Sequence, residues 1–193
     1  MLIRLAFVVV VSLTLSACAG AYLAGAAGGA VVASDRRTVG TIVEDENIEL
    51  KTLNGMFKEN DIWDNSNIEA VSFNRVVLLV GQTPTQSLKQ KASEFARKVE
   101  NVKKVYNEIK VAAPSSSFAY INDLYLTTRV KTALLTAEGV DSSKIKVVTE
   151  DGEVYLMGIV SKEEADKSID ITRNIGGVEK VIQVFEIVDI TQS

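Results

Sequence analysis

The pattern that most constrains this chain is a repetition: from Glu46 onward the same order of elements is written twice. Each pass reads helix, strand, turn, strand, helix, strand, and the anchors of the two passes fall at a nearly constant spacing. Val77-Leu78-Leu79-Val80-Gly81 is answered by Val154-Tyr155-Leu156-Met157-Gly158, and Val102-Lys103-Lys104-Val105 by Val178-Glu179-Lys180-Val181. The repetition predicts an α+β fold of two tandem αββαβ units, residues 46–112 and 122–190. A linker over 113–121, with Pro114 and three consecutive serines, joins them. Each unit is expected to be a three-stranded mixed sheet packed with two helices, and cores this small favour packing of one unit on the other.

Local chemistry fills in the plan. In the second unit Leu126, Val130, Ala133 and Leu134 share one helical face. Ile145, Val147 and Thr149 alternate along a strand, Asp151-Gly152 supplies a two-residue hairpin turn, and Gly158 marks the end of the return strand. Ser161 and Glu164 form a capping box for the next helix. Gly176-Gly177 stops that helix, and Val178 to Val188 reads as a final strand buried on both faces. In the first unit Thr83 is the expected cap, with Pro84 at the first helical position and Ala92, Phe95, Ala96 and Val99 as the apolar stripe. Its hairpin carries Asn74-Arg75 where the second has Asp151-Gly152, a less favourable pair that predicts a looser turn.

The chain has no histidine and one cysteine, Cys18. That excludes the common zinc and copper sites and catalysis by Cys-His or Ser-His-Asp groups, leaving carboxylate-only metal binding as the sole metal option. No cofactor and no enzymatic role are expected. Acid pairs such as Glu163-Glu164 are explained by helix capping and the N-terminal dipole. The formal net charge is −4 and no basic stripe with interleaved aromatics is present, which argues against nucleic acid.

The N-terminal region is of another kind. Arg4 is the single charge before Asp35, Leu5 to Leu15 is almost wholly apolar, and Leu15-Ser16-Ala17-Cys18 closes the run with small residues. Residues 1–17 read as a secretory signal peptide, too short to span a membrane as a stable helix. The small-residue run from Ala19 to Ala33 reads as a flexible tether within 18–45, and a second membrane-inserted segment is the competing reading.

Leu-Ser-Ala-Cys resembles the lipobox of bacterial lipoproteins, which implies a diacylglycerol on the Cys18 sulfur, loss of the leader, and acylation, such as palmitate, at the new amino terminus. Ala19 stands where an aspartate would mean retention at the inner membrane, so the outer membrane is the implied address. Further matching text is Val39-Gly40-Thr41, Val77-Leu78-Leu79-Val80-Gly81-Gln82, Val105-Tyr106-Asn107-Glu108-Ile109, Thr149-Glu150-Asp151-Gly152-Glu153-Val154 and Leu156-Met157-Gly158. Together these make the mature chain similar to the dual BON-domain lipoproteins of Gram-negative bacteria. The resemblance implies an envelope-integrity protein, lipid-anchored in the outer membrane and facing the periplasm, with a BON unit that binds anionic phospholipid. Some members of that family carry a haemolysin label. No long amphipathic or barrel segment of a pore former is present here.

A phospholipid site needs a cation for the phosphate beside an apolar or aromatic group that can sit among headgroups. Tyr125 and Arg129, four apart on the first helix of the second unit, supply this beside Leu124 and Lys131. The family resemblance implies that this helix is the membrane-facing one, with an aromatic at the position of Tyr125. The competing reading packs Tyr125 between the two units. Net charge points to the first unit, where residues 46–112 carry ten basic and nine acidic groups against eight and thirteen in 122–193. Attraction to a charged surface reaches only about 8 Å at physiological salt, so local grouping outweighs unit totals. Lys103-Lys104 is the rival patch. The alternative function is an adaptor for an envelope protein, such as outer-membrane assembly machinery, through a strand edge or the Trp63 region.

Overall fold

Two strands with apolar residues on both faces organise the architecture. The computed structural model describes residues 35–189, the side chains of Asn60 and Trp63 excepted. The first unit runs α1 (Val39–Phe57), a one-turn α2 (Asn60–Trp63), β1 (Asn67–Phe73), β2 (Val76–Thr83), α3 (Gln86–Lys98), β3 (Lys104–Asn107) and β4 (Lys110–Val111). The second runs α4 (Ser117–Leu135), β5 (Ile145–Glu150), β6 (Glu153–Val160), α5 (Lys162–Arg173) and β7 (Lys180–Ile187). In each sheet the middle strand, β2 or β6, pairs antiparallel with its hairpin partner and parallel with the last strand. The α+β reading of two mixed sheets holds, with one local change. The last strand of the first unit is interrupted at Glu108-Ile109, where Ile109 is fully buried in the helix-side core.

Helices cover one face of each sheet. In the first unit Ile48, Met56, Ala92 and Ala96 pack on Ala70, Val77 and Leu79, and in the second Val130, Leu134 and Ala165 pack on Val147, Val154 and Leu156. The remaining two sheet faces meet each other: Val71, Phe73, Leu78 and Val80 pack against Val148, Tyr155, Met157 and Val184. Each fully buried apolar side chain contributes about 1.5–3 kcal/mol, so this shared layer is the main bond between the units.

The strands buried on both faces are therefore the central ones, β2 and β6, and β7 differs from expectation. It lies at a sheet edge, and Val184 is its one buried residue. Its valine, isoleucine and phenylalanine content serves the two layers on either side, while among the described residues its outer edge has no strand beside it. Helix starts also differ. α1 begins at Val39 with the Thr38 hydroxyl accepting from the Thr41 amide, ahead of Glu46. α4 begins at Ser117 behind a Ser116 cap, inside the expected linker. The cap of α3 is Thr85, not Thr83: the Thr83 hydroxyl sits at the end of β2, 2.8 Å from that of Ser66. The Ser161–Glu164 capping box is present as expected.

Both hairpins use the same turn. Asp151 and Gly152 have φ of 48° and 74°, and Asn74 and Arg75 have 51° and 66°. The first turn is not loose, because a buried carboxylate pins it. Asp45, 2% exposed, accepts from the amides of Asn74 at 2.8 Å and Arg75 at 2.6 Å and from the Ser72 hydroxyl at 2.8 Å. Asp123 holds the second turn in the same way, accepting from the Asp151 amide at 2.8 Å and the Gly152 amide at 2.9 Å. Arg75 still occupies a left-handed conformation that favours glycine. Arg75→Gly is expected to stabilise the protein by about 1 kcal/mol. A thermal melt should show a midpoint about 2–4 °C higher; a lower one would mean that the side chain packs better than its backbone costs.

Two adjacent residues tie the N-terminal entry of the fold to both units. Arg36 donates to the Ile159 carbonyl at 2.7 Å and pairs with Glu164 at 3.0 Å, both in the second unit. Arg37 pairs with Asp45 of the first at 2.8 Å and lies 3.9 Å over the Phe73 ring.

Candidate functional site

Helix α4 is apolar on two opposite faces. Leu126, Val130 and Leu134 are buried, the last two against β5 and β6, with Asp123 on the same face reaching the hairpin turn. On the outer side Phe118 is 85% exposed, Ile121 62%, Leu124 58% and Tyr125 60%. At 3.6 residues per turn, Phe118, Ile121 and Tyr125 fall along one ridge, with Leu124 beside it. A helix that is hydrophobic all round is ordinarily enclosed, and this one has solvent over its outer face.

Tyr125 lies outside the layer between the sheets, which removes the reading that it packs between the units. Arg129 lies 5.6 Å from the Tyr125 ring and donates to the Gly176 carbonyl at 2.7 Å, which fixes one side of its guanidinium. Lys131 does not join them. Two residues on, it projects about 200° further round the helix, on the flank of Leu124. Of the four expected residues, Tyr125 thus lies on the apolar ridge, with Arg129 on one side of it and Leu124 and Lys131 on the other.

Phe118 and Ile121 escaped the sequence reading because they precede Asn122, the expected start of the unit. The signal available was the Ser116 cap followed by Phe118, Ile121 and Tyr125 at helical spacing. Among the rival residues, the Lys104 ammonium lies 4.3 Å over the Tyr106 ring and donates to its hydroxyl at 2.6 Å, so half of the Lys103-Lys104 pair is engaged locally. Cys18 and the Trp63 side chain lie outside the described residues.

The first unit allows a direct comparison, because Asp45 and Asp123 occupy equivalent places. Counting from them, Val43 matches Ile121, and Glu46-Asn47 stand where α4 carries Leu124-Tyr125. The outer face of α1 exposes Val39, Val43, Leu50 and Phe57, interrupted at its middle by these polar residues.

A cavity of about 280 Å³ opens between the units beside Leu124, lined also by Glu49, Glu69, Asp123, Lys146 and Glu150. Burial raises the carboxyls of Glu69 and Glu150 above the ordinary range. Among the described residues no group of three or more carboxylate, histidine or cysteine side chains is placed to hold a metal, and no helix is long and apolar enough to cross a membrane.

Two small α+β modules docked sheet to sheet, one of them presenting a broad apolar helix face, define a tandem-module protein whose notable feature is a surface. The chain belongs to the BON domain family, whose pattern matches residues 44–113 and again residues 122–189. It is similar to the outer membrane lipoprotein DolP of Haemophilus influenzae, with 41% identity over 187 residues covering 96% of each chain. It is also similar to the 21 kDa hemolysin of Actinobacillus pleuropneumoniae, at 36% identity over 80% of this chain and 79% of that one. A third relative is the osmotically-inducible protein Y of Escherichia coli, at 30% identity over 79% and 77% respectively.

Proposed function

We propose that this protein is an outer membrane lipoprotein, anchored through Cys18 and facing the periplasm, that binds anionic phospholipid through helix α4 and supports envelope integrity. The observation that carries the reading is the exposed ridge of Phe118, Ile121 and Tyr125 with Leu124 at its side. The ridge offers apolar groups to the headgroup region, while Arg129 and Lys131 flank it with charge for phosphate. The polar Glu46-Asn47 break in α1 favours the second unit over the first despite the first unit's more positive balance. A lipid anchor converts a weak surface contact into an intramolecular one, so a modest patch is enough to bias orientation.

Co-sedimentation of residues 19–193 with vesicles containing phosphatidylglycerol or cardiolipin tests this. Ile121→Ala with Tyr125→Ala is expected to weaken binding at least about tenfold, the loss of roughly 1.4 kcal/mol of interfacial burial. A Lys103→Ala, Lys104→Ala variant should bind as the parent does. Loss with the lysines alone would move the site to the first unit. No binding by any version would favour the adaptor reading, which draws its support from the exposed apolar residues of α1.

A further inference from the structure

At the second hairpin turn a polar node joins the two units. Gln82 of β2 is 1% exposed, and its amide nitrogen donates across the interface to Glu150 at 2.5 Å and to Asp151 at 2.7 Å. Its carbonyl oxygen accepts from the Ser115 amide at 3.1 Å, and the Ser115 hydroxyl donates to Asp151. One NH₂ group thus serves two carboxylates, which brings their oxygens no further apart than the sum of those two bonds.

We propose that Gln82, Glu150 and Asp151 form a proton-responsive latch between the two units. With both acids ionised, two like charges share one amide and the junction is held against repulsion. When the solution acidifies, a proton from water moves onto Glu150, which removes one of the two like charges while the Gln82 amide can still donate to both side chains, and the repulsion across the junction is relieved. The surroundings favour that proton. Asp123 of α4, Glu69 of β1, and Glu153 of β6 face the node, with the Tyr155 hydroxyl donating to Glu153 at 2.9 Å and Glu179 against Gly152. Against them stand Lys110, 3.9 Å from Asp151 and 3.4 Å from Glu153, and Lys146, which is held by Glu49 of α1 at 3.0 Å.

The sign follows from burial, which raises the Glu150 carboxyl above its ordinary 4.5, against the Gln82 bond that lowers it and with Asp151, Asp123 and Glu69 adding to the rise. An acid whose folded pKa is raised adds stability that is complete below its ordinary value and disappears as pH climbs through the raised one. Glu164 and Asp141 lie lower than usual, burial notwithstanding, because Ser161 and Arg36 hold the first and Lys144 and Ser143 the second. Their contributions are lost only at greater acidity and do not oppose the trend.

The test uses the full chain with Cys18→Ser and spin labels at Lys103→Cys and Lys162→Cys, one on each unit. The inter-label distance distribution is expected to narrow between about pH 8 and about pH 4.5, the ordinary value for a glutamate, and to be narrow at both in Glu150→Gln. The melting midpoint should rise by a few degrees over the same interval, and less in Glu150→Gln. Glu69→Gln is the companion, because Glu69 has the same sign of shift without the Gln82 bond. It should reduce the thermal rise and leave the label distribution responsive. A distribution that does not change with pH in the parent, or one that changes equally in Glu150→Gln, overturns the latch.

Discussion

Asp45→Ala is expected to destabilise the protein by about 3–5 kcal/mol, the scale for breaking a buried, hydrogen-bonded ion pair. The substitution removes the acceptor for two turn amides and the Ser72 hydroxyl together. It also takes an anionic partner from Arg37, whose side chain is 13% exposed. Asp123→Ala removes two turn contacts without such an ion pair and should cost less, about 2–4 kcal/mol. Urea titration with an unchanged slope would measure both. If Asp123→Ala proved the more damaging, the account of Asp45 as the pin of the first hairpin would fail.

Gly81→Ala should be at least as severe. Gly81 sits inside β2 with φ of 107°, and a Cβ there would overlap the backbone carbonyl oxygen of Asn67 on β1. Neither strand can yield without shifting β1 off the helix core on one side or the sheet interface on the other. We expect a loss of about 4 kcal/mol or more, in the range reserved for strained backbone and disrupted cores. Gly158 is the counterpart, inside β6 and not at its end, with the Lys144 carbonyl oxygen 2.5 Å from a built Cβ and an ordinary φ. Gly158→Ala should therefore be the milder of the two. A Gly81→Ala protein melting within a few degrees of the parent would show that the strands can separate cheaply at this point.

Much of this was legible from the sequence because it is local. The Asp151-Gly152 turn, the Ser161–Glu164 box, and the Leu126, Val130, Leu134 face each depend on residues within a turn or two of one another. The pinning role of Asp45 was not legible, since its partners lie in a hairpin far along the chain and nothing in a helical window separates a buried acid from a solvated one. Continuous apolar runs announced burial on both faces but not which strand occupied the centre. The run in β7 resembles those of β2 and β6, and position in the sheet decides the difference. At the candidate site, Leu124 and Tyr125 were visible as residues off the core stripe. Phe118 and Ile121 were hidden by a helix start among three serines, any of which can cap.

Arg36 and Arg37 are neighbours in the chain and hold different units. A load applied at Arg36 would meet the Glu164 and Ile159 contacts before it reached α1. It would then divide between the two sheets, loading several bonds in parallel. A helix pulled from its own end unzips one turn at a time, each turn bearing the whole load alone. The paired arginines would spread such a load over both units.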